Sequence, residues 1–383
     1  MSGLRIVSDR NIPFVEQTFA ELGDVVTLPA AKIDAAAVRD ADILLCRTTI
    51  KVGAPLLDGS KVRFVATATI GIDHFDVPYL EQRGIRWAAA PGSNAPSVAL
   101  WFVSALTALC DRSSTEPGEL RIGVVGVGHV GKRVAAIARA FGTTPLLCDP
   151  PRARAEGHAG FVSLDELLAK ADLVSLHVPL TKEGPDSTRG FVDRERIMAL
   201  RPGTLVVNAC RGEVLDAAAL TERMLRGELR AALDVFPDEP SPNATLVGAA
   251  EIATPHIAGH SLDGKVAGTE MIYRATCEFL GRAPTFSAAA LLPNPEPREV
   301  LVQAHHRTDA QVLGDALAPF YDLWTDDRAL RAIVSGEPST RGAAFRAYRD
   351  GYPARREPRE VVMHLLPRRS HVAAVLQLLG AIV

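Results

Sequence analysis

Short aliphatic runs recur along this chain, and the stretches between them carry apolar residues at helical spacing. Residues 4–7, 25–28, 43–46, 64–68 and 87–90 read as five short strands, each followed by polar residues. After the first, Ser8, Asp9 and Asn11 can cap a helix beginning near Pro13. Residues 1–93 are expected to form a small parallel α/β unit of their own. Residues 95–112 are apolar almost all round, as a buried helix requires, and the polar stretch 112–119 reads as a loop. Six further runs, 121–125, 144–148, 173–177, 204–208, 231–235 and 251–253, alternate with helical patterns that include 132–141, 164–171 and 217–226. That alternation predicts a Rossmann-type sheet over roughly 113–256. A long helical pattern at 261–282 could return the chain to the first unit, and 291–297 is a proline-rich linker. Beyond it a third, smaller α/β domain is expected, with helices at 310–323 and 341–351 and a strand at 361–365.

One turn in this pattern carries chemistry. The strand at 121–125 runs into GVGHVG, and a helix and a second strand ending at Asp149 follow. A G-x-G-x-x-G turn between strand and helix, with an acid about twenty residues on, is the dinucleotide fingerprint. Gly126 permits the tight turn, Gly128 lets the backbone approach a pyrophosphate, and Gly131 lets helix and strand pack closely. The helix N-terminus, opened by His129 and Val130, offers free N–H groups and partial positive charge. Asp149 suits a ribose 2′-hydroxyl and would repel a 2′-phosphate, which favours NAD; Arg152 and Arg154 are the residues that could instead accept one.

Composition narrows the setting. The 383 residues are 47% hydrophobic and 23% charged with net charge −3, which argues for two or three globular domains and against a nucleic-acid or membrane-surface partner. The five cysteines are scattered and unpaired in pattern, so reduced core thiols are expected and no metal site. The N-terminal residues lack a signal pattern, no run approaches ~18 apolar residues, and a cytoplasmic location is the default. Arg355, Arg356, Arg359, Arg368 and Arg369 read as a solvated face, or alternatively as a contact for a phosphorylated ligand or a partner subunit.

Three polar residues follow strands of the dinucleotide sheet: Arg211, Glu239 and His256. Oxidising a 2-hydroxy acid calls for these types. Histidine can take the hydroxyl proton, and a carboxylate on its second nitrogen can orient it. A guanidinium can hold the substrate carboxylate bidentately and polarise the oxygen at C2. Asp234 reads as structural or near the nicotinamide amide, and His74 and His177 as supporting residues.

The stretches GVGHVG, NACRGEVLD, LDVFPDEP and TPHIAG resemble the D-isomer-specific 2-hydroxyacid dehydrogenases. That resemblance implies Arg211, Glu239 and His256 as the catalytic set and NAD as cofactor. It also implies a flavodoxin-like substrate domain split in sequence. Domains are then expected at 1–93 with 257–290 for substrate, 94–256 for NAD, and 291–383 at the C-terminus. DRNIPFVEQTF, FVATATIGIDH, LLCDPPR and HIAGHSLDGKVAGT resemble one branch of the family, which carries an added C-terminal dimerisation domain and acts on a small phosphorylated 2-hydroxy acid. By that likeness Thr48, Thr69 and His260 meet substrate, while Val178, Cys210, Asp234 and Gly259 join Asp149 at NAD. The chain departs from the branch at His260, where a tyrosine is usual, and at Val178, where a threonine is usual. A homodimer through the C-terminal domain is implied too. Another 2-hydroxy acid, or a non-catalytic NAD-sensing scaffold, are the alternatives.

Overall fold

The computed structural model describes residues 3–383 and falls into two compact units. The first comprises residues up to Asn94 together with His260–Asn294; the second comprises Ala95–Gly259 and Pro295–Val383.

In the first unit the strands β1 (Leu4–Asp9), β2 (Gly23–Leu28), β3 (Ile43–Cys46), β4 (Phe64–Thr67) and β5 (Arg86–Ala88) form one parallel sheet in the order β2-β1-β3-β4-β5. This is the flavodoxin-like winding. β3 and β4 are buried along their whole length, which is why they read as unbroken apolar runs rather than alternating ones. The helix Leu262–Phe279 returns to this unit, and its Ile272, Tyr273 and Cys277 pack with Ile6, Phe19 and Phe64.

The second unit is built on a parallel sheet of β6 (Ile122–Val125), β7 (Leu146–Cys148), β8 (Leu173–Leu176), β9 (Leu205–Asn208), β10 (Arg230–Leu233) and β11 (Ile252–Ala253). Their order is β11-β10-β9-β8-β6-β7. The helix Ala95–Ser113 is buried on nearly every face, because the helices His129–Ala140 and Asp309–Leu317 also cover it. A two-stranded parallel sheet of β12 (Glu299–Gln303) and β13 (Val362–Leu366) shares that core through Val302, Met363 and Leu365.

Two expectations for residues beyond 300 are corrected, and two elements are added. The helix expected over 310–323 ends at Leu317, and a second helix, Leu323–Ser335, begins where the first was expected to end. Asp322 caps that second helix, accepting from the N–H groups of Trp324 and Thr325. β12 and the helix Ser370–Leu378 are the two additions, in segments whose apolar pattern predicts neither. And Arg355 is not on a solvated face: only 8% of it is exposed.

At the edge of the sheet remote from the strand ends discussed below, Asp172 precedes β8 and joins three strand starts. It accepts from Arg121 N and Nε at 2.9 Å each, Arg121 Nη2 at 3.1 Å and Arg201 Nη2 at 2.8 Å. The Arg121 hydrogen bond above all, with Arg201 beside it, holds this carboxyl far below the ordinary aspartate range despite partial burial. The stabilisation is present above the unfolded-state value near 4 and is lost as pH falls toward the folded value. Asp172→Asn is therefore expected to cost ~1–2 kcal/mol at neutral pH. In thermal unfolding, the gap to the parent protein should shrink as the pH is lowered below ~4.

Candidate active site

The strand order of the second sheet reverses at β6, which places a crevice beyond the carboxyl ends of β6 and β8. Gly126 leaves β6 with φ 83°, and a Cβ at Gly131 would stand 1.9 Å from the Gly126 carbonyl oxygen. Only glycine at 131 lets the turn close onto its helix. That helix begins at His129 and Val130, and Gly128 before it provides no side-chain cap, so the first N–H groups remain available to an anion. A Cβ built at Gly128 would meet nothing within 4 Å, so the backbone there is open to a ligand. Val178 lies over the turn, its Cγ1 2.8 Å from where a Gly126 Cβ would stand.

Asp149 closes the cradle. Its carboxylate accepts from Val127 N at 2.8 Å and from Arg152 N at 3.1 Å, so it fixes the glycine turn and caps the next helix. These residues fit a dinucleotide: an uncapped helix N-terminus for the pyrophosphate and a carboxylate at the ribose position. Arg152 is paired with both oxygens of Glu156, at 2.7 and 2.6 Å, and Arg154 with Asp186. Both arginines are thus already matched with carboxylates, which leaves NAD favoured over its 2′-phosphorylated form.

Three loops at the same edge carry the acid–base candidates. Asn208 ends β9 and shapes the first of them. Its Nδ2 donates to Arg211 O at 2.9 Å, and its Oδ1 accepts from Cys210 N and Sγ at 3.1 Å each. Arg211 Nη1 donates to Cys210 O at 2.8 Å. Gly212 brings this loop against the one after β10, since a Cβ there would stand 2.1 Å from the Phe236 carbonyl carbon. On that second loop Glu239 uses both oxygens: Oε1 accepts from Phe236 N at 2.9 Å, and Oε2 lies 2.6 Å from His256 Nδ1.

His256 sits on the third loop, after β11, with φ 55°. A left-handed backbone is costly for a residue with a side chain, and several contacts hold it. Asp234, 1% exposed, accepts from Thr254 Oγ1 at 2.6 Å and from Ile257 N and Ala258 N at 2.9 Å each. Trp101 Nε1 donates to Thr254 Oγ1 at 3.0 Å, and Arg349 Nε to His256 O at 3.2 Å.

Burial works to raise the Glu239 carboxyl, but the His256 imidazole, its hydrogen bond, Phe236 N–H and the Arg349 guanidinium outweigh it and leave it below the ordinary glutamate value. Glu239 is then an anion at neutral pH and accepts from Nδ1–H, an arrangement that leaves Nε2 as the ring nitrogen that can exchange a proton with a substrate. Burial lifts Asp234 the other way, to about 6, against the pull of His256 and its three donors.

The second unit thus holds Arg211, Glu239, His256, Cys210, Asp234 and Gly259. Thr48, Thr69 and His260 belong to the first. Thr48 is exposed in the turn after β3, Thr69 Oγ1 lies 2.7 Å from Thr67 Oγ1, and His260 precedes the helix cap Ser261. Sequence reasoning passed over Asn208 and Arg349. Asn208 lies within NACRG, three residues before Arg211, and that adjacency was a usable signal. Arg349 sits on a remote helix and left none.

The profile described as D-isomer specific 2-hydroxyacid dehydrogenase, NAD binding domain, matches residues 104–258. The chain is 42% identical to an erythronate-4-phosphate dehydrogenase of Pseudomonas fluorescens, over 98% of this chain and 99% of that one. It is 44% identical to one from Pseudomonas aeruginosa over 92% and 93%. Among solved structures it resembles D-lactate dehydrogenase of Aquifex aeolicus, complexed with NAD and lactic acid (TM-score 0.59, 26% identity, 72% of this chain and 95% of that one). It also resembles the NAD-bound 3-phosphoglycerate dehydrogenase of Entamoeba histolytica (TM-score 0.63, 25% identity, 74% and 98%). The chain belongs to the erythronate-4-phosphate dehydrogenases, within the D-isomer specific 2-hydroxyacid dehydrogenase family.

Proposed function

We propose that this chain oxidises 4-phospho-D-erythronate at C2 to (R)-3-hydroxy-2-oxo-4-phosphobutanoate, with NAD reduced to NADH and one proton released, as a step in making pyridoxal 5′-phosphate. The observation that carries the chemistry is the 2.6 Å contact between Glu239 and His256 Nδ1, which leaves Nε2 as a base. The near full-length likeness to erythronate-4-phosphate dehydrogenases carries the substrate. NAD, when bound in the glycine cradle, supplies the acceptor for the C2 hydrogen and its electron pair. His256 Nε2 takes the hydroxyl proton. Glu239 keeps the ring oriented and balances its charge while the proton is held. Arg211 grips the substrate carboxylate and polarises the C2 oxygen.

For the substrate phosphate, Arg47, Lys51 and C-terminal arginines other than Arg349 and Arg355 are the candidate cations. Arg47 is already positioned by Asp9, with Nε to Oδ2 at 2.9 Å. Thr48, Thr69 and His260 complete the proposed substrate set. The C-terminal segment is proposed to pair two copies of the chain through the outer face of its small sheet. There Leu301, Leu366 and Ile382 are 60%, 50% and 55% exposed. Among the described residues no helix is long and apolar enough to cross a membrane. A cytoplasmic location is proposed, which suits five cysteines without disulfides.

The test is NADH formation with 4-phospho-D-erythronate, D-erythronate and 3-phosphoglycerate. The expected result is the highest kcat/KM with the first, and a loss of ~10-fold or more on removing the phosphate. Equal rates on the phosphorylated and unphosphorylated acids would reject this substrate.

A further inference from the structure

The loop that carries His256 is gripped from two sides. Asp234 takes its N–H groups at Ile257 and Ala258. Its carbonyls turn the other way, toward the C-terminal segment, where Arg349 Nε donates to His256 O at 3.2 Å and Arg355 Nη2 to Ala258 O at 3.0 Å. A residue at φ 55° points its carbonyl away from where an ordinary strand or helix would pair it, so an external donor is needed to satisfy it.

Both arginines are fixed before they reach the loop. The helix Pro338–Asp350 places Phe345, Tyr348 and Arg349 on one face, and the Arg349 guanidinium lies 5.7 Å from the centre of the fully buried Phe345 ring. Arg355 lies 4.2 Å from the centre of the Tyr321 ring and 5.8 Å from that of Tyr352. Tyr348 and Tyr352 donate to the buried Asp326 at 2.6 and 2.8 Å, which anchors the platform with a carboxylate. An aromatic and ionic frame built from residues 321–355 therefore holds the two arginines that donate to the His256 loop.

We propose that Arg349, supported by Arg355, is a positioning residue for His256, so that the C-terminal segment sets the placement of the base. The inference rests on the proposed role of His256. Arg349 also adds positive charge near Glu239, a smaller pull in the same direction as that of His256 and of Phe236 N–H. A base displaced by a fraction of an ångström slows the chemical step more than it weakens binding.

The test compares the parent enzyme, Arg349→Gln and Arg349→Lys on 4-phosphoerythronate with hydrogen or deuterium at C2. Expected for Arg349→Gln is a ~10-fold fall in kcat, little change in KM or NAD affinity, and a larger deuterium isotope effect on kcat, because the chemical step has become slower. Arg349→Lys keeps the charge and a donor and should recover most of the rate. An unchanged isotope effect with a lower kcat, as a smaller folded fraction would give, overturns the proposal, as does full activity in Arg349→Gln. If Arg349→Gln does not fold, a parent-like isotope effect in an Arg349→Lys enzyme of reduced kcat overturns it equally. No turnover by the parent enzyme would instead reject the function itself.

Discussion

His256→Asn should lower kcat by ~10²–10⁴-fold and leave NAD affinity nearly unchanged. Asparagine is the informative replacement because it tolerates the left-handed backbone better than alanine does, so the loop can keep its shape. Its amide can still meet Glu239 but cannot accept a proton from the substrate. The loss therefore reports the missing base rather than a collapsed loop. Glu239→Gln should have a smaller effect in the same direction, since a neutral amide keeps the ring oriented but no longer balances its charge at 2.6 Å from Nδ1. Steady-state kinetics with cofactor titration checks both. Parent-like turnover in His256→Asn would remove His256 from the reaction.

Arg211→Gln should lower kcat/KM by ~10²–10³-fold, in the range lost when a donor to a developing oxyanion is removed. The guanidinium is asked to do two things, and they separate in the kinetics. Holding the carboxylate affects substrate binding and shows in KM. Polarising the C2 oxygen affects the chemical step and shows in kcat. Lysine at 211 would keep the charge without the planar fork, and should restore binding better than turnover. The surrounding turn would survive, because Asn208 holds it through the Arg211 carbonyl and the Cys210 amide. A change confined to NAD affinity would show that Arg211 serves the cofactor instead.

What could be read in advance follows from where each element takes its stability. The parallel strands sit in closed cores, so each is a compact aliphatic run with little ambiguity; Ile43–Cys46 is found with the bounds that its residues suggest. The glycine turn was equally visible, because close backbone approach leaves no other residue at Gly131. The C-terminal segment was harder. The apolar spacing through 310–323 continues past the end of the helix at Leu317 to Asp322, which caps the next helix, and periodicity alone does not register that interruption. Arg355 stands in a cluster of arginines that reads as a wet surface. Its burial depends on Tyr321, Tyr352 and Asp326, and only the fold brings these together. The same holds for the loop that carries His256. Its histidine is visible in TPHIAG, while the Arg349 guanidinium that donates to its carbonyl lies 93 residues on.

The most direct measurement is the fate of deuterium placed at C2 of 4-phosphoerythronate, followed by mass spectrometry of the cofactor after turnover. One deuterium in each reduced cofactor is the expected result, with the proton taken by His256 exchanging into water. Deuterium released to solvent, or cofactor left oxidised while substrate is consumed, would contradict the oxidation at C2 on which every role given to Arg211, Glu239 and His256 depends.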